Sequence, residues 1–100
     1  MFKEKPSETL LHVASRNNDC EIIELLVKNG SSDVNSRDSE GYTPLHIAAI
    51  HGNMYAVRKL VDLRADISRA TTDGRVAADL AHLNKETEIE EHLKRKICSS

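Results

Sequence analysis

The feature that most constrains the fold of this chain is an internal repeat with a period of 33 or 34 residues. Gly41 and Gly74 are 33 residues apart, and His12 and His46 are 34 residues apart. Three copies can be aligned, with approximate bounds of 4–36, 37–69 and 70–97. A unit of this length cannot bury its apolar face without a neighbour, so we expect consecutive copies to stack. Residues 98–100 are then a short C-terminal tail.

Each copy has the pattern of a polar turn, a short apolar helix, a tight connector and a second helix. Apolar residues recur at helical spacing in the second helix, as in Ile23, Leu26 and Val27 of the first copy. Helices this short are marginal in water without a partner face. The sequence shows no strand-like alternation, and aromatic residues make up only 3% of it. We therefore predict an all-α fold with a core of Leu, Ile, Val and Ala.

The sequence TPLH at residues 43–46 carries the clearest local signal. Thr43 suits a helix N-cap, because its hydroxyl can accept a hydrogen bond from an unpaired N–H of the first turn. Pro44 suits the first helical position, where a missing N–H costs nothing. His46 then falls at the third helical position and can reach back to the cap, as glutamate does in a capping box. We therefore predict a structural role for His46 and for His12, its equivalent in the first copy.

The third copy departs from this pattern. Val76 replaces the capping threonine, so that helix start should be weaker by about 1 kcal/mol. Asp79 should partly offset the loss by its position near the helix N-terminus. Thr87 and Glu90 predict a capping box at the second helix of this copy. Because that helix has a narrow apolar face, we interpret the third copy as the C-terminal cap of the stack.

The run GYTPLHIAAIHGN at residues 41–53, with the closing segments DVN and ADIS, closely resembles the ankyrin repeat. The resemblance covers nearly the whole chain. It implies an ankyrin-repeat solenoid of three stacked helix-turn-helix units with polar turn or hairpin tips, forming one domain over residues 1–97. Arg64 departs from the family pattern, which prefers the glycine that the first copy has at Gly30. If the backbone there is left-handed, a residue other than glycine costs about 1 kcal/mol.

Several classes of function are not expected. The sequence has no nucleophile elbow, P-loop or paired carboxylates, so we predict no catalytic site and no cofactor. His46 and His51 are five residues apart, whereas metal-binding helix pairs use three or four, so no metal site is predicted. The net charge is −2, which makes nucleic acid an unlikely partner. No apolar run approaches the length of a membrane span. Two cysteines far apart in sequence favour a reducing, intracellular location, cytoplasmic or nuclear.

The resemblance implies that this chain binds another protein and acts, without catalysis, as an adaptor or inhibitor. In ankyrin stacks the turn tips and the exposed sides of the first helices form a concave surface. Carried over by position, the tips contribute Ser39, Glu40, Tyr42, Thr72, Asp73 and Arg75. The ends of the first helices contribute Arg16, Asn17, Ile50, His51, Leu83 and Asn84. Tyr42 is the strongest candidate, because large aromatic residues are enriched at binding hot spots.

Two alternatives stand beside this function. The chain could be a structural segment of a longer ankyrin scaffold, since Ile22 and Leu25 leave the outer face of the first copy apolar. That face would meet a partner, further repeats or a second chain, so self-association through the first copy is one expectation. Asn35 also resembles the asparagine that an oxygen-dependent hydroxylase modifies in ankyrin repeats. An extra serine in GSSDVN alters its spacing.

Overall fold

Six helices form the fold of the computed structural model, which describes residues 9–30 and 33–98. Of residues 97 and 98 it describes the backbone only. Within these residues there is no β-strand. The helices, in chain order α1 to α6, are Leu10–Arg16, Cys20–Lys28, Pro44–Ile50, Met54–Asp62, Ala77–Leu83 and Thr87–Cys98.

The helices lie in two layers. The first helix of each repeat packs beside the next, so α1, α3 and α5 form one layer. The second helices, α2, α4 and α6, form the other, and each pair also packs within its own repeat. This arrangement confirms the predicted all-α solenoid of three stacked helix pairs.

The core that joins the layers is aliphatic, as predicted. Its fully buried side chains come from both layers and all three repeats, and the largest apolar ones are Leu11, Ile23, Leu45, Leu60, Ile89 and Leu93. Full burial of a leucine or isoleucine contributes about 1.5–3 kcal/mol. Helices of seven to nine residues are too short to be stable in isolation, so this packing is what holds them.

The capping boxes predicted at the first helices of the first two repeats are confirmed. The Thr43 hydroxyl accepts from the His46 backbone N–H at 3.3 Å, and the Thr43 N–H donates to His46 Nδ1 at 3.0 Å. Thr9 and His12 form the same pair of bonds at 3.3 and 3.2 Å. Each box satisfies donors that a helix start leaves unpaired.

The third repeat starts its first helix without a side-chain cap, as predicted. Val76 has φ −88° and ψ 170°, close to the −91° and 168° of Thr43. The backbone therefore keeps the N-cap conformation although valine cannot accept a hydrogen bond. Asp79 helps directly, because its Oδ2 accepts from the Val76 N–H at 3.3 Å.

The predicted capping box of Thr87 and Glu90 is wrong. Thr87 is the first residue of α6 and therefore lies inside the helix rather than at its N-cap. The Glu90 carboxylate instead contacts Lys94 Nζ at 2.8 Å and His82 Nδ1 at 3.1 Å. A cation one turn later and a ring from the neighbouring helix thus hold this carboxylate away from the helix start.

The connectors use left-handed backbone at matching positions. Arg64 has φ 74° and its equivalent Gly30 has φ 73°, so the condition set in the sequence analysis, a left-handed backbone at Arg64, is met. After the first helices, Asn18, Gly52 and Lys85 have φ 58°, 69° and 60°. The fold therefore requires left-handed residues at these turns whether or not the sequence supplies glycine.

Polar bonds between neighbouring repeats accompany the apolar packing. Asn53 donates from Nδ2 to the carbonyls of Ser15 and Arg16, both at 2.8 Å. Asn18 Oδ1 accepts from the Ala56 N–H at 3.0 Å. These bonds satisfy carbonyls at the end of α1 and an N–H at the start of α4, which helix ends leave unpaired.

Candidate protein-binding surface

The first tip, residues 38–42, is held by the Asp38 carboxylate. Asp38 Oδ1 accepts from the backbone N–H groups of Glu40 at 2.9 Å and Tyr42 at 3.0 Å, and the Asp38 N–H donates to the Tyr42 carbonyl at 3.0 Å. Gly41 has φ 83°, and a Cβ there would lie 2.8 Å from the Thr72 backbone nitrogen. The tip therefore needs glycine both for its backbone and for its contact with the next tip.

Neighbouring tips are bonded to each other. The Thr72 hydroxyl donates to the Glu40 carbonyl at 3.0 Å, and the Thr72 N–H approaches the same oxygen at 3.4 Å. The second tip is closed by a bond of 2.9 Å from the Thr71 N–H to the Arg75 carbonyl. The two tips thus form one continuous, hydrogen-bonded edge.

Both capping histidines also join their own repeat to the next tip. His12 Nε2 lies 2.7 Å from the Tyr42 carbonyl, and His46 Nε2 lies 3.2 Å from the Arg75 carbonyl. Because Nδ1 of each ring accepts the backbone N–H of its cap, the proton belongs on Nε2, which donates to the carbonyl. Burial lowers the pKa of His46, which favours this neutral form.

This second role of the histidines was missed by the sequence reasoning. Capping explains Nδ1 but leaves Nε2 without an assigned partner. The recurrence of histidine one repeat apart, each 29 or 30 residues before the carbonyl it contacts, was the available signal. The Asp38 clamp was also missed, although Asp followed by Ser-Glu-Gly is a composition typical of such turns.

The predicted tip residues lie together on this edge, mostly with their side chains in solvent. Exposed members are Ser39, Glu40, Thr72, Asp73 and Arg75, whereas Tyr42 is half-buried. The Tyr42 ring lies 6.0 Å from the His46 ring, centroid to centroid, with an angle of 42° between the planes. Its backbone is fixed on both sides by Asp38 and His12. The backbone of Tyr42 is therefore fixed, and the neighbouring His46 ring limits the orientations of its side chain.

The predicted residues at the first-helix ends form a second row. Each first helix has seven residues, so this row lies about 10 Å from the tips at 1.5 Å per residue. Ile50 is half-buried. The exposed members are Arg16, Asn17, His51, Leu83 and Asn84. Leu83, at 56% exposure, is the most apolar exposed point in the row.

Asn35 is engaged in the fold. Its amide Oδ1 accepts from the Asp66 N–H at 2.7 Å, and its own N–H donates to Asp33 Oδ1 at 2.9 Å. The amide thereby joins the segment after α2 to the segment after α4.

Two other kinds of feature are absent from the described residues. Among the residues that the structure describes, no three His, Cys, Asp or Glu side chains are grouped so that they could hold a metal ion. Over the same residues, none of the helices combines the length and the apolar character needed to cross a bilayer.

The helix pairs, the repeated caps and the bonded tips define the class to which this protein belongs: a helical repeat protein built by stacking. A family model described as ankyrin repeats in three copies matches residues 2–93. The chain belongs to the ankyrin repeat family, which confirms the resemblance found in the sequence. Ankyrin repeats are protein-interaction modules.

Three relatives illustrate the similarity. The chain is 42% identical over 77 residues to protein phosphatase 1 regulatory subunit 12A of Mus musculus, covering 77% of this chain and 7% of that protein. It is 43% identical over 70 residues to protein phosphatase 1 regulatory subunit 27 of Mus musculus, covering 70% and 45%. It is 37% identical over 84 residues to tyrosine-protein kinase Shark of Drosophila melanogaster, covering 83% and 9%. The chain thus spans less than half the length of each of these relatives.

Proposed function

We propose that this protein is a non-catalytic, intracellular interaction module that binds a partner protein through the edge of its two tips and the ends of its first helices. The observation that carries the proposal is how the tips are fixed. Their internal and inter-repeat bonds are made by backbone groups, Asp38, Thr72 and the capping histidines. Exposed side chains such as Ser39 and Asp73 therefore sit on an ordered frame. Less conformational entropy is lost on binding when the surface is already ordered.

The first partner to test is the catalytic subunit of protein phosphatase 1. Two of the relatives are regulatory subunits of that phosphatase. The chain would act as an adaptor if it leaves the bound enzyme active, and as an inhibitor if it does not. Phosphatase activity on a small chromogenic phosphate ester, measured with increasing amounts of the chain, separates these two roles.

Tyr42→Ala is the variant that tests the surface. As a hot spot, Tyr42 should contribute about 2 kcal/mol, so the variant should bind about 30-fold more weakly in isothermal titration calorimetry. Its helical circular dichroism should be unchanged, because the backbone bonds of Tyr42 do not depend on its ring.

Tyr55→Ala is the matched control. Tyr55 is 69% exposed on α4, in the other helix layer, and its removal should leave the affinity unaltered. Equal affinity of Tyr42→Ala and the wild type would refute the proposed surface. No binding of the wild type would refute this phosphatase as the partner.

A further inference from the structure

The outer side of the first repeat carries an apolar strip that the proposed binding surface does not use. We call it the outer face, and define it as Leu10 on α1 together with Glu21, Ile22, Leu25 and Lys28 on α2. Leu10, Ile22 and Leu25 are 69%, 40% and 54% exposed. They are three of the five large apolar side chains that are exposed in the described part of the chain.

The outer face lies where the later repeats bury their residues. The repeat alignment pairs Leu10 and Ile22 with positions that the preceding repeat covers. The residues at those positions, all buried, are Pro44, Ala56, Ala77 and Ile89. The first repeat thus presents an inter-repeat contact surface, with larger apolar side chains than the second repeat has there.

Two of the side chains by which the second repeat bonds to the first have no polar-donor equivalent in the first repeat. In the second repeat, Asn53 donates to carbonyls of the first and Lys59 pairs with Glu24 at 2.8 Å. The equivalent residues of the first repeat are Asp19, a carboxylate that cannot donate, and Leu25. An apolar strip without these directional groups suits a partner with the same strip better than a further repeat.

The charges of α2 fit such a partner. Glu21 lies in the first turn of α2 and Lys28 in the last. When two copies of α2 pack antiparallel about a twofold axis near residues 24 and 25, Glu21 of each copy faces Lys28 of the other. Lys28 is 63% exposed although it already pairs with Glu24 at 2.9 Å, so a second carboxylate can approach it.

The surface beside this strip is not flat. An open groove of about 400 Å³ runs along α2, lined by Glu21, Glu24, Leu25, Lys28 and Asn29. In the twofold arrangement this groove receives Ile22 and Leu25 of the other copy. Antiparallel α2 helices also place opposite ends of their dipoles side by side.

We propose that two copies of this chain associate through their outer faces about a twofold axis, with their α2 helices antiparallel and Glu21 of each copy paired with Lys28 of the other. This leaves the tips and first-helix ends of both copies open, so the dimer would present two partner-binding surfaces. Two such surfaces raise the avidity for a partner that is itself multivalent.

Sedimentation equilibrium on the full chain, over a range of concentrations up to millimolar, tests the association. The wild type should approach twice the chain mass of 11.2 kDa. Leu25→Lys should remain at 11.2 kDa and fold normally. Leu83→Lys is the matched control, because Leu83 has nearly the same exposure, 56%, and lies off the outer face; it should dimerise like the wild type.

A charge exchange tests the twofold geometry. Glu21→Lys alone places two lysines opposite each other, and Lys28→Glu alone places two glutamates opposite each other, so each should dimerise at least tenfold more weakly than the wild type. In an equimolar mixture both contacts become Lys with Glu, and a heterodimer should form with an affinity near that of the wild type.

Three results would overturn the proposal. A wild type that stays at the mass of one chain at millimolar concentration rules out the dimer. If that monomeric wild type binds a hydrophobic dye and Leu25→Lys does not, the outer face belongs to another partner. Loss of the dimer in Leu83→Lys rather than in Leu25→Lys places the contact elsewhere. A mixture of the two charge variants that stays monomeric rules out the antiparallel pairing.

Discussion

Replacing Arg64 by glycine should stabilise the fold. Arg64 has φ 74° and an exposed side chain in the connector after α4. A left-handed residue other than glycine is strained by about 1–2 kcal/mol, and glycine removes that strain. Glycine also gives the unfolded chain more freedom, which costs about 0.4–1 kcal/mol. The net gain in the free energy of unfolding should be about 1 kcal/mol, or a rise in Tm of roughly 4–8 °C for a domain of this size.

Thermal and urea unfolding followed by circular dichroism at 222 nm measure this change. The reciprocal variant, Gly30→Ala, is the control at the equivalent position of the first repeat. Gly30 has φ 73°, and no heavy atom lies within 4 Å of a Cβ placed there. Its effect therefore comes from the backbone conformation and not from a clash, and we expect a loss of about 1 kcal/mol.

The two variants should shift Tm in opposite directions. A lower Tm for Arg64→Gly, or an unchanged Tm for Gly30→Ala, would show that left-handed strain does not set the stability of these connectors.

Three further predictions concern the caps and the tips. Val76→Thr should raise the free energy of unfolding, measured with urea, by about 1 kcal/mol. The new threonine hydroxyl could accept a hydrogen bond from the Asp79 N–H, as Thr43 does from the His46 N–H. Val76→Ala cannot form this bond and should show no gain. Burial lowers the pKa of His46 below its ordinary 6.5, so the unfolded chain binds that proton more tightly. The contribution of His46 to the free energy of unfolding should be complete above pH 6.5 and decline as the pH falls below it, and unfolding of His46→Gln should depend less on pH across this range. Gly41→Ala should lower the free energy of unfolding by more than about 1 kcal/mol, because the new Cβ would lie 2.8 Å from the Thr72 backbone nitrogen. A Tm equal to that of the wild type would contradict the close contact between the tips.

The parts of the fold that sequence reasoning found are those set by local chemistry. The cap of Thr43 and His46 depends on residues three apart, so its geometry follows from the sequence once the helix start is known. The left-handed backbone at Arg64 was predictable because the repeat supplies Gly30 as a template. The period of the repeat, rather than any single motif, indicated the stack.

The parts that it did not find include contacts between repeats and, within one repeat, the choice between competing partners of a side chain. The bond from His46 Nε2 to the Arg75 carbonyl joins residues 29 apart, and nothing adjacent to His46 in the sequence indicates it. Glu90 fitted a capping box by spacing, but Lys94 and His82 hold its carboxylate instead. Sequence spacing allows Glu90 either a cap with Thr87 or an ion pair with Lys94 four residues later, and spacing alone does not decide between them.

The residues of the candidate surface were chosen by their positions in the repeat, and the structure shows which of their side chains are held by neighbouring groups. Thr72 was chosen as an exposed tip residue, yet its hydroxyl is bonded to the Glu40 carbonyl. Tyr42 is half-buried against His46 and is not a fully exposed ring. The freedom left to the Thr72 side chain depends on the neighbouring repeat and could not be read from one repeat alone.

Site-specific photo-cross-linking tests most directly the claim that the tips bind a partner protein. A benzophenone amino acid replaces Tyr42 at the first tip in one variant and Tyr55 on α4 in another, each in the full chain. After irradiation with the catalytic subunit of protein phosphatase 1, or in cells that make the protein, we predict a discrete adduct from position 42 and none from position 55. Adducts from position 55 with none from position 42 would contradict it.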